Sequence, residues 1–153
     1  MSHAFWEWSL ERYDQPGVAS EAIQLQDEFG LNVNTCLWCV WLAEEGRDAA
    51  PLLDQAVQAI APWSMGVTEA IREARRKAKN HPRADTLYKS ILACELDAEH
   101  VEQDILFELA AHAQPASLPP LETARNALER YAEMAASPAN FDPFLKTVFP
   151  TGK

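Results

Sequence analysis

At 153 residues, 48% of them apolar and 24% charged, the chain has the size and composition of one globular domain, which excludes disorder over most of its length. A formal net charge of −10 opposes non-specific attraction to nucleic acid or to anionic membrane surfaces. Three cysteines, an odd number, read as reduced thiols, and the first fourteen residues carry Glu7, Glu11 and Asp14 without the apolar run of a secretion signal, so the expected location is the cytoplasm.

The opening stretch places Trp6, Leu10 and Tyr13 at helical spacing, and Pro16-Gly17 breaks it. Val18, Ala22, Leu25 and Phe29 then form the apolar face of a helix that stops at Gly30. Between Val33 and Ala43 only Asn34 and Thr35 are polar, so a helix here has no face suited to water. With Asn32 as N-cap and glycines at 30 and 46 as breakers, the spacing predicts a buried central helix over about 32–45, too short to cross a bilayer.

Leu53, Val57 and Ile60 mark a short helix, and Ala61-Pro62 reads as a break, with Pro62 opening the first turn of the next helix. That helix is expected to run to about Lys79 on a stripe of Trp63, Val67, Ala70, Ile71, Ala74 and Ala78. The segment from Asp85 to Ala113 is the longest helical pattern, with Leu87, Ile91, Cys94, Ala98, Val101, Ile105 and Leu109 in phase as its core stripe. A proline-rich loop from Gln114 to Pro120 leads to a last long helix, Leu121 to Ala135. The tail over 137–153 carries Phe141, Phe144 and Phe149, which can dock on the body through a short helix at Asp142-Pro143. The fold class is therefore all-α: a single domain over 1–136, a compact bundle of about six helices around the central one, with a basic helix and an acidic helix forming a hairpin over about 62–113.

The residues Phe5-Trp6, Ser9-Leu10, Tyr13, Pro16-Gly17-Val18, Leu25-Gln26-Asp27, Gly30, Val33-Asn34, Trp41-Leu42-Ala43, Pro62-Trp63 and Arg72 through Lys79 resemble those of a small proteobacterial family known as a conserved hypothetical with a domain-of-unknown-function label. The resemblance covers about residues 5–112 and is most specific up to Ala43. It implies a compact cytoplasmic bacterial protein, and it implies no catalytic residue, cofactor or partner.

Charge is unevenly spread. Between 62 and 83 six Lys and Arg face two Asp and Glu, whereas between 84 and 113 one Lys faces seven Asp and Glu. In an antiparallel hairpin turning near Pro82, position i faces about position 164 minus i. Arg72 then falls opposite Leu92 and within a turn of Glu95, close enough for a bidentate pair. Glu99 and Glu102 fall opposite Met65 and Pro62, where the expected helix N-terminus favours carboxylates. Arg72, Arg75, Glu95 and Glu99 are thus the candidates for an internal ion-pair network or for a ligand site, and Arg76 points outward.

Cys36-Leu-Trp-Cys39 matches the spacing of dithiol and half-zinc sites, but both thiols fall in the apolar helix and read as buried structural residues. Asp97-Ala-Glu-His100 and the pair Glu108 and His112 are isolated fragments of the ligand sets that metal bundles use, so no metal or other cofactor is called for. His3 and His81, at a terminus and in a loop, read as exposed. There is no nucleophile elbow, P-loop or dinucleotide fingerprint, which weakens the case for an enzyme. Trp8 falls off the Trp6, Leu10 and Tyr13 side, so it is expected at the surface as a partner contact together with Arg76. The sequence favours a non-enzymatic module that binds a protein partner or a second copy of itself, and argues against nucleic acid and membrane. The alternative is a pocket for a small anionic molecule between the Trp-rich central helix and the Arg/Glu hairpin.

Overall fold

The computed structural model describes residues 2–149. These form eight α-helices in chain order: α1 (Ala4–Tyr13), α2 (Val18–Asp27), α3 (Val33–Glu44), α4 (Leu53–Trp63), α5 (Glu69–Ala78), α6 (Asp85–Leu109), α7 (Pro120–Met134) and α8 (Asp142–Val148). The single β element among the described residues is a two-residue antiparallel ladder that pairs Arg47 with Pro115 and Asp48 with Gln114, tying the loop after α3 to the loop after α6. None of the described helices is long and apolar enough to cross a membrane.

Helix α3 is the axis. Every residue from Asn34 to Ala43 is buried, because the run is apolar on all faces and only a position enclosed by other helices keeps it from water. Asn32 caps it by accepting the Thr35 N–H at 2.9 Å, and Gly30 and Gly46 both take the left-handed conformation (φ 68° and 76°) that lets the chain reverse at either end. Around α3 lie α7, α6, α1 and α2, with Phe5, Ala22, Leu25, Leu106, Leu128 and Phe144 among the buried side chains. The tail is part of this body. Helix α8 buries Phe144, Leu145 and Val148, and Phe141 before it is buried as well; residues 150–153 of the expected tail lie outside the described residues.

Pro62 does not begin a helix. It lies inside α4, and the rod runs on through a π turn, Ser64–Thr68, into α5. Proline lacks an N–H and its ring crowds the carbonyl four residues back, and the chain answers by widening the next turn: the Glu69 N–H bonds to the Ser64 carbonyl, five residues back. The expected charge–dipole partner of Glu99 and Glu102, a helix N-terminus at Pro62, therefore does not exist.

The faces of α5 and α6 also differ from the apolar stripes expected. Helix α5 buries none of its residues, and Ala70 and Ala74 are exposed. On α6 the buried residues are Glu95, Ala98, Glu102, Gln103 and Leu106, while Leu87 and Cys94 face solvent. The seam between α5 and α6 is polar, built on Arg72, Arg75, Glu95 and Glu99, and Leu87, Leu92 and Leu96 of α6 are exposed. On α1 the core side is Phe5 and Ser9, one residue and so about 100° round from the expected Trp6 and Leu10, and Leu10 is 47% exposed.

Candidate functional site

A cleft of about 1100 Å³ lies between the end of α2, the turn at Gly30–Asn32, the π turn and α5, with Tyr131 of α7 contributing to its wall. Its lining is mixed, with apolar Leu31, Val57 and Ile60 next to polar Asn32, Ser64 and Arg72. The π turn places Ser64 and Met65 on the cleft, where a regular α-helical turn would set the following residues at a different angle.

Asn32 organises the floor. Its Oδ1 caps α3, its Nδ2 donates to Glu102 Oε1 at 2.8 Å and to Ser64 Oγ at 3.4 Å, and its backbone N–H donates to the Tyr131 hydroxyl at 2.9 Å. Aspartate would cap the helix as well but has no N–H for Glu102, whereas the asparagine amide accepts through Oδ1 and donates through both hydrogens of Nδ2. Behind it a buried polar chain continues: Asn34 Nδ2 donates to Glu102 Oε1 at 3.3 Å, and Gln103 Nε2 donates to Asn34 Oδ1 at 2.9 Å and to Ser9 Oγ at 3.0 Å. Glu102 is 1% exposed, and its second oxygen, Oε2, has no hydrogen-bond partner among the described residues.

Arg72, at the wall of the cleft, is held from behind by two carboxylates, with Nε 2.9 Å from Glu95 Oε2 and a terminal nitrogen 3.2 Å from Glu99 Oε1. Arg75 forms a second pair with Glu95 and faces a smaller groove of about 410 Å³ that also includes Arg76 and Lys79. All four residues singled out from the hairpin, Arg72, Arg75, Glu95 and Glu99, thus meet in one cluster. Burial holds the Glu99 carboxyl above the usual range; Arg72 opposes the shift, and the neighbouring charges of Glu95 and Glu102 add to it. Arg76, half-exposed, reaches across the mouth of the cleft to Asp27 of α2 at 3.2 Å.

Trp8 is not fully exposed. It is half-buried against the core, its indole N–H donates to Glu44 at 3.2 Å, and Arg12 lies over its ring while bonding to both Glu44 and the Val148 carbonyl. Trp8 thereby helps to fasten α1 to α3 and α8. His3 is not solvent-exposed either. Its Nδ1 accepts the Trp6 N–H at 3.1 Å to cap α1, its ring stacks on Phe107, and its Nε2 lies 2.8 Å from Asp104. With His100, whose ring stacks on Trp6, these side chains bring three ligand-type atoms within 4.8 Å of one another. A metal at His3 Nε2 would need that nitrogen's lone pair, yet the cap puts the proton there, and the proton serves Asp104. The cluster works as a tether for α1. Cys36 and Cys39 are buried, and burial pushes both thiols well up, away from the reactive thiolate; Cys94 is exposed.

A family model described as a protein of unknown function, DUF2390, matches residues 4–106. The chain belongs to the DUF2390 family. The matched segment holds α1 to most of α6 and thus every cleft residue except Tyr131, together with the whole cluster of Arg72, Arg75, Glu95, Glu99 and Glu102. The DUF2390 description carries no activity. No curated protein and no solved structure matches the chain.

Asn34, Ser9 and Gln103 are not among the candidates from sequence. Asn34 does leave a signal, since a polar side chain inside a helix that is apolar on every face needs an internal partner. Ser9 and Gln103 leave none, because each lies on a helix whose core phase is set by neighbours elsewhere in the chain.

Proposed function

We propose that this DUF2390 protein is a cytoplasmic module that binds a small molecule in the cleft between α2, the π turn and α5. One observation carries the reading: a cleft of ligand size is lined by apolar Leu31, Val57 and Ile60 together with polar Asn32, Ser64 and Arg72, of which Asn32 and Arg72 are each fixed by a buried carboxylate. Preorganisation of that kind lowers the ordering cost of binding. Native mass spectrometry on the protein purified from its own host tests it. The expected result is a co-purifying small molecule that is lost in Ala61→Trp, a substitution that fills the cleft from a half-buried position. Bare protein, together with no thermal stabilisation by any member of a metabolite library, refutes it.

A second reading, a docking face for a protein partner, is favoured by the leucines of α1 and α6. His3 with Asp104 and Trp6 with His100 set an antiparallel register in which Leu10 falls beside Leu96, with Leu92 one turn on. These three are 47%, 49% and 45% exposed, and Glu7, Asp14 and Asp85 lie at the edges of the strip. The matching surface is an apolar patch with a basic rim. Pull-down with Leu92→Glu as the control tests this, and an identical set of captured proteins from both baits removes it.

A further inference from the structure

We propose that the smaller groove between α2 and α5 is a separate site for a phosphoryl group, held by Arg75, Arg76 and Lys79. It does not rest on the cleft reading, and its failure would leave that reading standing.

The groove, of about 410 Å³, is lined by Ile23, Gln26 and Asp27 of α2 and by Arg75, Arg76 and Lys79 at the end of α5. Three cations thus face one carboxylate, in a chain whose formal net charge is −10. Counting the carboxylates behind them does not cancel the excess. Arg72, Arg75, Arg76 and Lys79 are set against Glu95, Glu99 and Asp27, and the Lys79 ammonium has no ion-pair partner among the described residues. A helix C-terminus favours cations, but that preference alone would leave all of them swinging in water. Arg75 is instead 20% exposed and anchored from behind, with Nε and one terminal nitrogen directed at the two oxygens of buried Glu95. Its other terminal nitrogen keeps its donors on the side away from that carboxylate. Arg76 is braced across the groove by Asp27 through one terminal nitrogen at 3.2 Å, which leaves most of its fork unassigned.

The donors favour phosphoryl over carboxylate. Arg75 and Lys79 lie four apart on one row of α5, whereas Arg76 is a step of about 100° round the helix, so the three heads do not approach in one plane. Three tetrahedrally placed acceptor oxygens match such donors better than two coplanar ones. Ile23, 49% exposed on the opposite wall, offers an apolar contact for the carbon that carries the group.

The test is calorimetric titration of phenyl phosphate, inorganic phosphate and benzoate into the full chain, at constant ionic strength in sodium chloride. The same titrations are made on Arg76→Gln, Lys79→Gln, Lys77→Gln and Ala61→Trp. Arg76 and Lys79 are exposed, so their variants should fold. Phenyl phosphate is expected to bind about fivefold or more tightly than benzoate, and Arg76→Gln and Lys79→Gln each to weaken it about fivefold or more. Lys77→Gln removes the same charge outside the groove, and Ala61→Trp fills only the cleft. Both should leave binding within about twofold of the parent. Either phosphoryl source supports the site: tighter binding of phenyl phosphate than of inorganic phosphate identifies an ester lying on Ile23, and equal binding identifies the free ion. Benzoate binding as well as phenyl phosphate, an equal loss in Lys77→Gln, or no saturable binding of either phosphate overturns the inference. Loss in Ala61→Trp overturns it too, by moving the anion to the cleft.

Discussion

Glu95→Ala should open the α5–α6 hairpin more than it unfolds the body. The Glu95 side chain is 8% exposed and is shared by Arg72 and Arg75, which are 14% and 20% exposed. Its removal takes from Arg75 its carboxylate and from Arg72 one of two, and leaves positive charge in a largely enclosed seam. Breaking a fully buried pair by deleting one partner costs about 3–5 kcal/mol, and partial access of water to both guanidiniums puts this case near the lower end, about 3 kcal/mol. For a chain of this length that is a fall in melting temperature of roughly 6–12 °C. Because α5 buries no residue, the loss should concentrate there. Urea denaturation measures the magnitude, and amide hydrogen exchange shows where it falls: faster exchange over residues 69–96, with α3 nearly unchanged. The double replacement Arg75→Met with Glu95→Leu should recover most of the stability, since an apolar pair avoids the desolvation cost of the ions. A loss below about 1 kcal/mol for Glu95→Ala, or an exchange increase spread evenly into α3, would refute this account of the seam.

Two other perturbations test the packing around the site. Gly17 has φ 85°, and a Cβ placed there would sit 2.8 Å from Thr147 Cγ2 of α8, so Gly17→Ala should cost about 1–3 kcal/mol from backbone strain together with displacement of α8; Thr147→Ser alongside it should return part of that in chemical denaturation, and no return would put the whole cost in the backbone. In alkali, burial pushes the Tyr13 phenol up to about 12, with the Glu99 charge adding and Arg72 opposing, and burial raises Tyr131 as well. An unfolded phenol ionises near 10, so above that pH the unfolded chain has shed protons that the folded chain keeps, and stability must fall as pH rises from about 10. Absorbance at 295 nm followed with circular dichroism checks this, and ionisation of both phenols near pH 10 with helicity intact would contradict it.

The central helix is legible in the sequence because its signal is local: a run apolar on every face, capped by Asn32 and bounded by Gly30 and Gly46, admits one kind of environment. The hairpin of Arg72 and Glu95 is legible for a related reason, since opposite charge rows on consecutive helices have few ways to meet. Pro62 misleads because proline's local rule, ending or starting a helix, is overridden by a π turn that no residue type announces. His3 and Trp8 mislead because their partners, Asp104 and Phe107 for one and Glu44 and Arg12 for the other, are set by how α1 lies across the body. The family model spans the cleft and yet carries no activity, so the chemistry has to come from the residues themselves.

Helix α6 makes a choice that stability does not explain. Its sequence offers two stripes, one of Leu87, Ile91, Cys94 and Ala98 and one of Glu95, Glu99 and Glu102, and hydrophobicity alone would bury the first. The chain buries the second at Glu95 and Glu102, and leaves Leu87 and Cys94 in water. Burying carboxylates in place of available leucines forgoes transfer free energy and adds desolvation cost. The proposed ligand site would supply the missing reason: a preorganised polar floor must be built from groups already stripped of water and held in place, as Asn32 is held by Glu102 and Arg72 by Glu95 and Glu99. On that view the polar seam of the hairpin is the rear wall of the cleft, and Glu102→Leu, which leaves the amides of Asn32 and Asn34 without their acceptor, should lower stability in urea by about 1–3 kcal/mol and abolish binding in the cleft. A Glu102→Leu protein that binds as the parent does would reduce the seam to a structural oddity, its buried carboxylates no longer accounted for by a ligand.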